Sequence, residues 1–127
     1  MAETDSSGAV WADLVDIVDS CEGVPISGTQ WSHESEDMDM TLLSWATGKR
    51  IEPHVNREVD VIWLGVKGTG TVTINGKSRE LRPGVALLIP KGTERAVQSD
   101  SEQFSYLSLH PRRRGLRPTL GRNGPTL

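Results

Sequence analysis

An all-β fold of short strands is what this sequence of 127 residues predicts. Turn signals at Asn75-Gly76, Pro83-Gly84 and Pro90-Lys91-Gly92 divide its central stretch into runs too short for helices. The runs between them are of strand type: VIWLGV at 61–66, TVTI at 71–74 and VALLIP at 85–90. With 13 Gly and 7 Pro against a hydrophobic content of 35%, the composition suits a turn-rich β protein better than a helical bundle.

Thr71 and Thr73 alternate with Val72 and Ile74, the period of a half-buried strand. Asn75-Gly76 follows, and both residues tolerate the positive φ that a tight type I′ hairpin demands. Residues 38–46 read as another strand, with Met40, Leu42 and Ser44 on one face and Thr41, Leu43 and Trp45 on the other. Residues 94–98 and 103–109 supply the last strands, the latter with Phe104, Tyr106 and Ser108 opposite Ser105, Leu107 and Leu109. Gly65 inside a strand-type run predicts a bulge. Trp63 in the same run reads as core or as a subunit contact.

Before this region the pattern changes. Residues 1–8 are expected to be disordered. Residues 9–20 read as a short amphipathic helix capped by Ser7 or Gly8, with Val10, Leu14, Ile17 and Val18 on one face. Its aspartates near the C-terminal end oppose the helix dipole, so it needs tertiary packing against the barrel. Residues 21–36 read as loops and short extended pieces, with His33 in a polar, solvated setting. The expected organisation is a disordered 1–8, a barrel with its helix over 9–110, and an Arg-rich tail over 111–127.

The totals exclude several function classes. A net charge of -3 gives no basis for nucleic-acid binding, and no apolar run is long enough to span a membrane. The single cysteine, Cys21, cannot form an intramolecular disulfide, and with a polar, acidic N-terminus it predicts a cytoplasmic protein. Charge is nonetheless segregated: residues 1–48 hold ten acids and no Lys or Arg, and residues 110–127 hold five Arg and no acid. The tail folds back on the acidic first third, within one subunit or across a dimer, or meets a phosphate or acidic partner, or stays solvated, since exposed ion pairs contribute only about 0–1 kcal/mol.

Chemistry concentrates at Pro53-His54-Val55-Asn56-Arg57-Glu58-Val59-Asp60. In one extended strand His54, Asn56, Glu58 and Asp60 share a face, and a bend within the stretch is the alternative, after which the set can still converge. That face makes a site if it points inward and an ordinary polar surface if it points to water.

The stretch from Gly48 to Gly92 resembles the cupin superfamily, small barrels of jelly-roll type. Their first motif is Gly, five residues, His, one residue, His, three or four residues, Glu, six residues, Gly. Gly48 and His54 fit it, Asn56 stands at the second His, and Asp60 falls at the Glu with seven residues before Gly68. In the second motif Gly84, Pro90 and Gly92 fit, while Arg95 replaces the His and Ser99 the Asn. The resemblance covers about half of the chain and implies a jelly-roll barrel with His54 inside it. It also implies a homodimer, which four Trp in so short a chain support.

If Arg95 occupies the last ligand position, a permanent positive charge sits where a cation would bind. It would pair with Asp60 or Glu58, or clamp an anion. The reading is therefore a small-molecule-binding barrel with no cofactor beyond a weakly held divalent transition metal. Its pocket is lined by His54, Asn56, Glu58, Asp60 and Arg95, with Tyr106 as a further ligand contact, and its partner is a small anionic molecule. Two alternatives stay open: an isomerase- or dioxygenase-type enzyme with a degenerate metal site at His54, Asn56, Glu58 and Asp60, and an assembly or regulatory barrel with a vestigial pocket.

Overall fold

The structure is a computed structural model and describes residues 1–21 and 27–112. In chain order the elements are β1 (Ala2–Thr4), β2 (Val10–Ala12), α1 (Leu14–Asp19), β3 (Ser27–Glu34), β4 (Met38–Trp45), β5 (Arg50–Val55) and β6 (Val61–Lys67). There follow β7 (Gly70–Ile74), β8 (Lys77–Leu81), β9 (Ala86–Ile89), β10 (Glu94–Ser99) and β11 (Phe104–Pro111). A five-stranded sheet runs β3-β4-β11-β6-β9 and a four-stranded sheet runs β5-β10-β7-β8. Every pairing among the described strands is antiparallel.

The inner faces of the two sheets make the main core. Trp63, Phe104, Tyr106, Val61, Leu43 and Trp45 come from the five-stranded sheet, and Val72, Leu81 and Val97 from the other. The Trp63 and Tyr106 rings lie 4.6 Å apart and those of Phe104 and Tyr106 5.2 Å apart. Buried rings of this size each contribute roughly 4–6 kcal/mol of gross hydrophobic burial. The alternation expected for 38–46 and 103–109 holds: Leu43, Trp45, Phe104 and Tyr106 point inward, while Leu42 and Leu107 join an outer cluster under α1.

Turn chemistry sets the connections. Asn75 and Gly76 hold φ 48 and 86, the left-handed pair a I′ hairpin needs, and join β7 to β8. The glycines that bound the two motifs, Gly48, Gly68, Gly84 and Gly92, all have positive φ as well. The bulge expected at Gly65 is present, because Tyr106 opposes Gly65 and Ser105 opposes Lys67, which leaves Val66 extra.

Three expectations are corrected. The first eight residues are not formless: β1 pairs with β2, and Asp5 closes the turn by accepting from the Ser7 and Ala9 N–H groups and from the Trp11 indole. The helix is shorter than 9–20, because Val10–Ala12 is drawn into that hairpin, and its cap is Asp13, whose side chain accepts from Asp16 N. Residues 27–34 form one full edge strand on β4, longer than the short extended pieces between loops that were expected. The Arg-rich tail beyond Arg112 lies outside the described residues. Arg112 itself reaches the acidic first third through carbonyls: its N–H bonds Asp37 O and its guanidinium Ser35 O, each at 2.8 Å.

Candidate functional site

The four-stranded sheet presents rows of cross-strand partners to the interior. His54 pairs with Arg95, Arg95 with Ile74, and Ile74 with Lys77, so one row crosses all four strands. The next row is Ile51, Val97, Val72 and Arg79. Arg95 is 1% exposed, and its guanidinium carbon lies 5.5 Å from the centre of the Trp63 ring on the facing sheet. At that distance the cation is attracted by the ring face, and more strongly for being out of water.

His54 sits where β5 is irregular. Arg95 and Val97 are two residues apart but oppose His54 and Ile51, three apart. His54 Nδ1 is 3.2 Å from Glu52 O and donates to it, which leaves Nε2 as an acceptor. Nε2 is buried with no hydrogen-bond partner among the described residues.

The strand ends at Val55, and the single polar face drawn from His54 to Asp60 ends with it. The cause is Asn56, whose Oδ1 accepts from Glu58 N at 2.9 Å and Val59 N at 3.3 Å and so turns the chain. Asn56 is buried, and its Nδ2 has no hydrogen-bond partner among the described residues. Glu58 and Asp60 lie beyond the turn on the exposed side. Asp60 Oδ1 accepts from Lys91 N at 2.8 Å and ties this loop to the one before β10. Ser99, at the second motif's last position, donates to Trp45 O and Ser101 O.

Tyr106 is fully buried, and its hydroxyl accepts from Trp45 Nε1 at 3.4 Å. Burial pushes its phenol well above the ordinary range, opposed by the Trp45 hydrogen bond and the nearby Arg95 charge. Trp63 is the interior residue whose polar role the sequence reading missed. Its ring is core as expected, but its indole Nε1 is buried with no hydrogen-bond partner among the described residues. A Trp among strand-type apolar residues gives no sequence signal for that.

The family of this fold is then decided by comparison. The family model of the cupin domain, Cupin_2, matches residues 41–110, which run from β4 to β11. The chain is a cupin. It is 34% identical over 83 residues to the dimethylsulfoniopropionate lyase DddW of Ruegeria pomeroyi, a match over 64% of this chain and 53% of that protein. The cupin thus spans about half the length of that relative. Among solved structures, a Bacillus halodurans protein superposes with TM-score 0.67 at 20% identity, over 92% of each chain. KdgF from a Halomonas species superposes with TM-score 0.61 at 24% identity, over 65% of this cupin and 74% of that chain. These two likenesses establish the fold.

Cupins of the motif described above hold a divalent metal with imidazoles and a carboxylate, and this cupin's residues are a poor donor set for one. His54 is the one imidazole of the motif positions, and Asn56 spends its amide oxygen on two backbone N–H groups. Asp60 braces a loop, and a permanent cation, Arg95, stands at the last position. Among the described residues no three His, Cys, Asp or Glu side chains come together.

Proposed function

We propose that this cupin binds a small carboxylate-bearing molecule in the barrel interior beside Arg95, without a tightly held metal. The carrying observation is the polarity of the buried set. Asn56 Nδ2 and Trp63 Nε1 are donors with no hydrogen-bond partner among the described residues, and they accompany a buried guanidinium. Leaving a buried donor unbonded costs about 1–3 kcal/mol, and an anionic oxygen acceptor relieves that cost where a cation adds to it. Elemental analysis of protein purified without chelators should find no stoichiometric transition metal. Calorimetry with short carboxylates should show saturable binding that Arg95→Met abolishes while the fold persists. A stoichiometric metal, or binding unchanged in Arg95→Met, overturns the reading.

The similarity to DddW favours a second reading, a lyase acting on a substituted propionate. Dimethylsulfoniopropionate therefore belongs among the carboxylates tested. Its consumption, followed by proton NMR with and without added divalent metal, separates an enzyme from a binding protein.

A further inference from the structure

At the β8 edge of the four-stranded sheet, the edge opposite β5, the fold leaves a second feature unused. A cavity of about 350 Å³ opens between the β7–β8 hairpin and β9, and none of His54, Asn56, Arg95 and Tyr106 lines it. That volume is at the lower end of what small-molecule sites occupy. Its walls are apolar: Val72, Ile74 and Leu81 from one sheet, Val85 and Leu87 from the other side. Two cations close the rows that form this wall. Lys77 is the cross-strand partner of Ile74 and Arg79 of Val72, so both share the inner face with the apolar residues, and both line the cavity.

Neither cation is consumed locally. Lys77 and Arg79 form no ion pair among the described residues. The acid at the rim, Glu80, lies 3.5 Å from Arg82. Charged side chains on an edge strand also guard it against pairing with another chain, and β8 is an edge. That role asks for charge anywhere on the strand and does not ask for an apolar cavity behind it.

We infer that this cavity binds a small amphiphilic carboxylate, its acid group on Lys77 and Arg79 and its hydrocarbon body against Val72, Ile74, Leu81, Val85 and Leu87. An inorganic anion would leave the apolar wall unused, and a neutral hydrocarbon would leave the cations unused. Arg95 does not line the cavity although its cross-strand partner Ile74 does, and the two binding proposals are told apart by the Arg95→Met variant.

The test is calorimetry on the full chain with octanoate, octanol, octylammonium and acetate. Octanoate should bind one per chain and weaken as salt rises, because its head group meets exposed cations. Octanol should bind at least about tenfold more weakly and octylammonium should give no measurable binding, and any heat from acetate should vanish in Arg95→Met and persist in the Lys77 and Arg79 double variant. Lys77→Gln with Arg79→Gln should lower octanoate affinity about tenfold or more and leave octanol unchanged. Both positions are exposed, so the fold should survive, which circular dichroism checks. Leu87→Trp should block octanoate and octanol alike. Arg95→Met should leave octanoate binding intact. The inference is overturned if octanoate fails to bind, if the double variant binds it as tightly as wild type, or if Arg95→Met removes it.

Discussion

Tyr106 is the only tyrosine of the chain, so its ionisation can be followed without interference. Burial is the main cause that raises its phenol above the ordinary value of 10. An unfolded chain ionises this group near pH 10, while the folded chain keeps its proton, so stability falls as pH rises above 10. The expected outcome is a native protein with no tyrosinate absorbance until it unfolds, then a single cooperative appearance. Gradual ionisation of folded protein would mean that the hydroxyl reaches solvent. Arg95 permits a second expectation at this scale. Arg95→His replaces a cation by an imidazole opposite His54, and should raise affinity for a divalent metal by about tenfold or more. Titration with Zn²⁺ or Co²⁺ against wild type checks it, and equal affinities would sink it. The inward placement of Arg95 was legible in the sequence because motif spacing singled it out. The orphaned Trp63 indole was not, because burial of one ring atom depends on what faces it across the sandwich.

Among the elements, the N-terminal hairpin was the least legible. Its strands have three residues each, too few to show a period, and one side chain gathers its turn. Asp5 accepts from the Ser7 hydroxyl and N–H, the Trp11 indole and Ala9 N. Those bonds, the Ser7 hydroxyl first and the Trp11 indole second, lower its carboxyl from 3.8 to about 2. The bonds are at full strength above pH 3.8 and are lost as pH falls toward 2, where the carboxylate gains its proton. The Trp11 indole N–H resonance should therefore shift with a midpoint near 2 in wild type and not at all in Asp5→Asn. A midpoint at the ordinary carboxylate value would show that these bonds do not form in solution. The continuous strand face drawn over His54–Asp60 is broken for a different local reason, at a bend the sequence allowed without placing it. Strand alternation was applied through Asn56, a residue whose side chain competes with the ladder and starts a turn. By contrast the β7–β8 hairpin was fully readable, because Asn75-Gly76 fixes turn type and register together.

At the scale of the molecule, burial is divided between two layers that meet at the five-stranded sheet. The inner layer fills the sandwich, and the outer one puts Ile17 and Val18 of α1 on Leu42 and Leu107. The helix has only six residues and three aspartates in or beside it, so it does not persist on propensity. It is held from outside: Gln103 Nε2 donates to Val18 O at 2.8 Å, and Lys67 lies 2.9 Å from Asp19, where a cation offsets acids at the negative helix end. This dependence was anticipated from the charge pattern, whereas the landing site was not, because an amphipathic face does not say which sheet receives it. The division predicts separable responses. Val18→Ala should cost roughly 1–3 kcal/mol in denaturant unfolding. Val18→Asp, which places a charge at a position 1% exposed, should lift the helix off the sheet. A hydrophobic dye should then bind the uncovered Leu42 and Leu107 face while Tyr106 remains shielded from ionisation, since its ring belongs to the other layer. If Val18→Asp also lets Tyr106 ionise in its ordinary range, the two layers are one cooperative unit, and the helix holds the barrel interior as well as covering the sheet's outer face.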